Sequence, residues 1–441
     1  MRALPRARKE LFLLQSLHLM NRIFPLLIIL MCGTLLAEEL QGIDQDLSPT
    51  TARATTQSTT RPAPRRAAKR NPPNVIDKLV QLDTVDAFSD GSLHNATIRN
   101  EDPPRIELGY KENQFPRIGT WTSEEVRCDF PITNLIASFN VKTPGQTGAL
   151  LEVRVEQEGK WSPWVYMQSW GKNIIPLDHP LKWDDGSVQI DEMFLTKPAT
   201  KFQTRVTLSS LDFDPKVTPA LRRVSVCYTG IVEDPDLRQR ISPTTAPTNW
   251  ARDLPVPFRG QGAMENPKSI RGMICSPTST SMVLHYYGID RPTAENAAAI
   301  FDPHHDLFGN WGRAVSRAGE FGIDAWLARF RNWDQVKTEI AQGHPVIASI
   351  RFGPGEALGL LYKSTGGHLI VIRGFKTNGD VIVNDPASRD KGNGVVYPAA
   401  ELARAWFDNG GVGYVVHGSA PANVAATTQP TTKPAGTAEV R

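Results

Sequence analysis

At 441 residues the chain exceeds one ordinary domain, and two folded domains with tails are expected. Its 40% hydrophobic and 22% charged residues are those of a soluble globular protein. A net charge of +3 is too small to make a nucleic-acid binder by charge alone, and none is expected as a partner.

The first element is an apolar run, Ile23 to Ala37, preceded by Asn21-Arg22 and followed by Glu38-Glu39. A basic start, a short apolar core and a small residue before an acidic pair read as a signal peptide over residues 1–37. The run is shorter than the roughly 20 residues that span a bilayer, so no stable membrane span is expected after cleavage. An uncleaved anchor is the alternative, and Met20 is a second candidate start. Lipid modification of Cys32 is disfavoured by the bulky Met31 before it. The expected location is secreted, periplasmic or cell-envelope.

Residues 38–74 are dominated by Thr, Pro, Ala and Arg, a composition that cannot bury enough apolar surface to fold. A disordered linker is expected there, and a disordered tail of the same character over 419–441. Arg53, Arg61, Arg65, Arg66, Lys69 and Arg70 make the linker basic. It is either a solvated spacer or a contact for an anionic surface.

From 75 to 234 short runs alternate apolar and polar residues between turn residues. Leu135 to Val141, Leu150 to Val155 and Phe202 to Leu208 carry the period of two that marks strands. Helical runs are scarce, so an all-β sandwich or jelly roll is expected. The tryptophans between Gly159 and Trp170 read as core or rim filling before they read as a sugar platform. Export leaves Cys128, Cys227 and Cys275. The first two lie near opposite ends of the β region and are candidates for a disulfide, with unpaired core cysteines as the alternative. Cys275 is the odd thiol in either case.

The pattern changes over 249–418 to helices followed by strands, an α+β arrangement. Helices are expected at Ser276–Tyr287, with Ser276 or Cys275 at the cap, and at Pro292–Phe301, Trp311–Phe321 and Trp333–Gln342. Strands are expected at Pro345–Arg351, His368–Gly374, Val381–Asn384 and Gly413–His417.

The chemistry concentrates here. Cys275 stands where a helix begins, and the positive end of the helix dipole favours its thiolate. Gly366-Gly367-His368 opens one strand, and Asp385 ends the next. Two adjacent antiparallel strands can bring imidazole and carboxylate together. A thiol, a base that takes its proton and a carboxylate that orients the base make a nucleophilic triad. Taken singly, each residue has a plain structural reading; the ordered triple is hard to obtain by accident.

The block Cys275-Ser-Pro-Thr-Ser with Met282-Val-Leu and Tyr286-Tyr287-Gly288 resembles the nucleophile helix of a bacterial papain-like cysteine peptidase family. That family includes the peptidases that remove double-glycine leaders from bacteriocins. Gly367-His368 with Val371 and Gly374-Phe375, then Val383-Asn384-Asp385-Pro386, resemble its histidine and aspartate blocks. The resemblance implies a papain-like fold over roughly Val256 to Val416. It implies Cys275 as nucleophile, His368 as general base and acid, and Asp385 as orienting group. It also implies Gln261 as an oxyanion-hole donor beside the nucleophile's backbone N–H. Ser276 departs from the Gly-Pro-Ala common after the nucleophile, and no Gly-x-x-x-x-Gly-Lys-[Ser/Thr] motif is present, which places leader processing coupled to a transporter in doubt.

The expected activity is hydrolysis of a peptide or isopeptide bond through a Cys-His-Asp triad and an acyl-enzyme, with a peptide or protein substrate of the envelope and no cofactor. An inactive papain-like binding module and a transglutaminase-like acyltransferase are the alternatives. His304-His305 with Asp302 and Asp306 lacks zinc-site spacing and is expected to be a loop, and no metal is expected.

Overall fold

A computed structural model describes residues 74–419, apart from 110–115, 174–179, 215, 242–244 and 246. The expected signal peptide, the linker short of Asn74 and the tail beyond 419 lie outside the described residues. The described residues all belong to one compact unit.

The first part is β-rich. Its strands join in one sheet of 13 strands, antiparallel at every pairing, instead of two separate ladders. The continuity comes from Glu192–Ser210, a strand of 19 residues that changes partners along its length. It begins between Gly186–Gln189 and Val126–Lys142 and ends between Thr147–Gln157 and Ile118–Thr122. Register shifts between Phe194 and Lys201 accompany the change, as bulges do where a strand bends.

Val126–Lys142 explains how this sheet meets the rest of the chain. From Asn134 to Val141 every residue is buried, so the strand has no solvent face there. Leu135, Ala137, Phe139 and Val141 enter the core of the β-rich part. Ile136, pointing the other way, joins the core of the second part together with Cys227. Ser138 and Asn140 share that second face and hydrogen-bond to backbone atoms of Leu327 and Ala325. The period of two is therefore real, but both of its phases are covered.

The second part packs helices on a six-stranded antiparallel sheet. The strand order is Asp324–Arg329, Val412–His417, Val346–Phe352, Thr365–Phe375, Val381–Asn384 and Val395–Tyr397. Helix Cys275–Tyr286 lies against Thr365–Phe375, and helix Trp311–Glu320 lies against Val126–Lys142 of the first sheet. Gly312 permits a close approach to the strand Val165–Gly171 of the same sheet, because a Cβ there would stand 1.7 Å from the Gln168 carboxamide oxygen. Gln168 then donates to Ser316 at 2.9 Å, and Arg313 donates to the Ser169 carbonyl at 2.6 Å.

Two expectations are corrected. Cys128 and Cys227 are both free. Cys227 pairs in register with Ile136 and Leu79 and faces the core of the second part, whereas Cys128 packs on the core of the β-rich part. Thiols turned to different cores cannot bridge. The nucleophile helix begins at Cys275 itself, with Ile274 in the cap position and no side-chain cap. Pro277 still falls in the first turn, where its missing N–H costs nothing.

Candidate active site

Cys275 is the first residue of its helix and half-buried, while Ser276 to Leu284 behind it are buried. Small side chains let this polar helix sink into the core. Thr278, Thr280 and Ser281 return their hydroxyls to carbonyls four residues back, and Ser279 donates to Leu369 O at 3.0 Å. Ser276 exchanges a hydrogen bond with Tyr414 at 3.0 Å. The helix is thereby fixed on the strand that carries His368.

His368 lies near the start of Thr365–Phe375 and is 6% exposed. Asp385 follows the last residue of Val381–Asn384, the neighbouring strand, where Val371 faces Asn384. This register brings His368 Nε2 to 2.8 Å from Asp385 Oδ1. The Cys275 thiol lies close enough to the His368 side chain for each to shift the other's pKa. Thiol, imidazole and carboxylate are thus brought together at one site.

Burial opposes charge on Cys275, but the His368 hydrogen bond and charge, with backbone N–H groups of Leu369 and Ser276, outweigh it and lower the thiol pKa. Burial likewise disfavours imidazolium. The Asp385 and Cys275 hydrogen bonds and their charges reverse that and raise His368 to about 10. Asp385 is buried too, yet His368, Tyr397 and the Ala387 N–H hold its carboxyl below the usual range. The contrast with the other thiols is sharp. Desolvation pushes both Cys128 and Cys227 up to about 12.

Gln261 reaches the site through its backbone, donating its N–H to Pro386 O at 2.9 Å beside Asp385. Asn266 holds the same loop by donating to Gln261 O at 3.0 Å. The Gln261 carboxamide oxygen is buried without a partner. The structure joins Cys275, His368 and Asp385 directly and sets Gln261 against the Asp385 turn.

Tyr362 and Tyr397 were not singled out in the sequence. Both donate to Asp385 Oδ2, at 3.0 and 2.7 Å. A cleft of about 400 Å³ opens beside His368, lined by Leu361, Tyr362, Thr365, Ala387, Ser388 and Lys391. Elsewhere, His305 Nδ1 lies 2.9 Å from Asp302 Oδ2, to which Asn310 also donates. The tryptophan-rich segment stacks on cations, with Arg154 over Trp161 and Trp164 and Arg205 over Trp164.

A thiol at a helix start, an imidazole on the strand beneath it and a carboxylate at the end of the next strand are the groups a cysteine peptidase requires. Residues 254–414 match the Peptidase_C39 like family model, and residues 78–229 match the Peptidase C39 N-terminal domain model. Among solved structures, a Bacillus anthracis protein assigned as a C39-like peptidase is similar over 38% of this chain and 100% of its own, with 17% identity and a TM-score of 0.29. TmCBM61, solved in complex with β-1,4-galactotriose, is similar over 34% of this chain and 95% of its own, with 10% identity and a TM-score of 0.20. No curated protein matches.

Proposed function

We propose that the protein is an exported thiol hydrolase that cleaves a peptide or isopeptide bond of an envelope peptide or protein. The carrying observation is the His368–Asp385 hydrogen bond beside Cys275, which opens a helix and whose thiol interacts with His368. The apolar run Ile23 to Ala37 supports export.

In this reading the Cys275 thiolate attacks the scissile carbonyl carbon, and the carbonyl π pair moves to oxygen. The Cys275 N–H and the Gln261 carboxamide stabilise that oxyanion. Imidazolium His368 gives its proton to the departing amine as the C–N bond breaks, leaving a thioester on Cys275. Water then loses a proton to His368 and attacks the thioester. Collapse releases the acid and restores the thiolate–imidazolium pair. Asp385 stays ionised throughout and holds the ring on axis.

Mass spectrometry after brief native treatment with iodoacetamide tests the reading on the wild type and on His368→Ala. Rapid labelling confined to Cys275, and slowed by the substitution, is expected. A Cys275 that labels only after denaturation would overturn the nucleophile assignment.

A further inference from the structure

A carboxylate that is 0% exposed needs donors on both oxygens, and Asp385 has four. Oδ1 accepts from His368 Nε2 at 2.8 Å and from Ala387 N at 2.9 Å. Oδ2 accepts only hydroxyls, Tyr362 at 3.0 Å and Tyr397 at 2.7 Å. The two phenols come from different places. Tyr397 ends the strand Val395–Tyr397 and is fully buried. Tyr362 belongs to the segment between Phe352 and Thr365 and lines the cleft.

Building on the nucleophile reading above, we infer that Tyr362 and Tyr397 are positioning residues of this site. Their hydroxyls clamp Asp385 Oδ2 so that Oδ1 stays on the His368 ring. A carboxylate swings readily about its last torsion. Donors on Oδ2 from two separate elements, with Ala387 N on Oδ1, remove that freedom. Tyr362 adds a second constraint. Its ring meets His368 edge to face, with centroids 5.4 Å apart at 85°, and its other neighbour Phe352 stacks on it at 5.7 Å. The ring therefore packs against His368 along the wall of the cleft that both residues line. Tyr397 also takes the Leu361 N–H, which ties the Tyr362 segment to the strand behind it.

The phenols remain donors at every pH at which the protein folds. Burial, first of all, and the Asp385 charge push both hydroxyls far above the ordinary tyrosine range. Neither phenol is a proton carrier here; each acts through Asp385.

The experiment follows the rate of Cys275 carbamidomethylation by iodoacetamide against pH. It uses the full chain as wild type, Tyr362→Phe, Tyr397→Phe and His368→Ala, with a thermal melt of each. The wild-type midpoint should fall well below the ordinary thiol value of about 8.5, and His368→Ala should return it there or higher. Each Phe variant should raise the midpoint by about one unit, the size expected for losing one hydrogen bond to a charged group. A merely structural tyrosine would lower the melting temperature and leave the midpoint alone. Wild-type midpoints retained in both Phe variants, beside a shifted His368→Ala, would overturn the positioning role and leave the nucleophile reading standing. A wild-type midpoint that is already ordinary, and indifferent to His368→Ala, would remove both. Should the buried Tyr397→Phe fail to fold, Tyr362→Phe on the cleft side decides alone.

Discussion

Asn140 makes with Ala325 both hydrogen bonds that a facing strand residue would make. Its Nδ2 donates to Ala325 O at 2.7 Å and its Oδ1 accepts from Ala325 N at 3.1 Å. Two residues along each strand, Ser138 Oγ accepts from Leu327 N at 3.1 Å. Asp324–Arg329 is the outer strand of the six-stranded sheet, and these side chains of the other sheet close its open edge. Asn140→Ala would strand the Ala325 N–H and C=O in a dry interface. A loss of about 2–4 kcal/mol is expected, from one or two unmet buried groups, read as the urea midpoint at constant slope. The pH midpoint of Cys275 alkylation should not move, because the clamp touches no residue of the triad.

The pH dependence follows from the opposite shifts of Cys275 and His368. The thiolate forms below the ordinary thiol range, and the imidazolium persists to about 10. For His368 the folded value lies above the unfolded one of about 6.5. Its contribution to stability is therefore complete below about 6.5 and is lost as pH rises towards about 10. Hydrolysis of a peptide or isopeptide substrate should hold a plateau through neutral pH and decline only near the alkaline limit, where the leaving amine loses its proton donor. A kcat/KM profile that falls near pH 6.5 instead would show that His368 titrates as an ordinary histidine.

Asp385→Asn separates charge from shape. The carboxamide keeps an oxygen for His368 Nε2 and Ala387 N, but its Nδ2 must then meet Tyr362 and Tyr397, which now face it as donors. The hydroxyls have to turn, and the negative charge beside the imidazolium is gone. Activity at neutral pH should fall by about 10²–10⁴-fold. The alkylation midpoint should rise further than in either tyrosine variant. A fall smaller than tenfold would show that Asp385 aims the ring without stabilising its charge.

Cys275, His368 and Asp385 were legible because short-range rules place each one: a helix start, a strand start and a strand end. Adjacent antiparallel strands then leave little freedom in their meeting. Tyr362 and Tyr397 gave no such signal. They lie 23 and 12 residues from Asp385, in segments where a tyrosine reads as loop or core. The strand Asp324–Arg329 was missed for another reason. Asp-Ala-Trp-Leu-Ala-Arg has neither alternation nor β-branched residues, and its place is set by pairing with Val412–His417 and by Asn140. The candidate disulfide, for which unpaired core cysteines were the alternative, failed on a point that spacing cannot show. Leu135 to Val141 and the strand bearing Cys227 are covered on both faces, so a position in the period does not say which core a thiol enters.

Asp191 offers the remaining test, in the contact between the two parts. Ile190 before it sits at φ 58°, an uncommon conformation for a β-branched residue, and Asp191 caps the helix Trp311–Glu320. Its oxygens accept from Trp311 N at 2.9 Å and Gly312 N at 3.3 Å. Burial raises its pKa to about 7 despite those two bonds, with nearby Asp302 and Glu192 adding to the rise. The folded value is thus above the unfolded one of about 3.9, so the contribution to stability is complete below about 3.9 and is lost as pH climbs to about 7. Asp191→Asn mimics the protonated acid and removes that slope. Melting temperatures of wild type and variant should coincide in acid. The variant should gain on the wild type up to about pH 7, and the gap should then stay constant. Parallel curves would mean that the helix N-terminus keeps Asp191 ionised throughout, and a wild type that melts above the variant at neutral pH would mean that its charge holds the two sheets together.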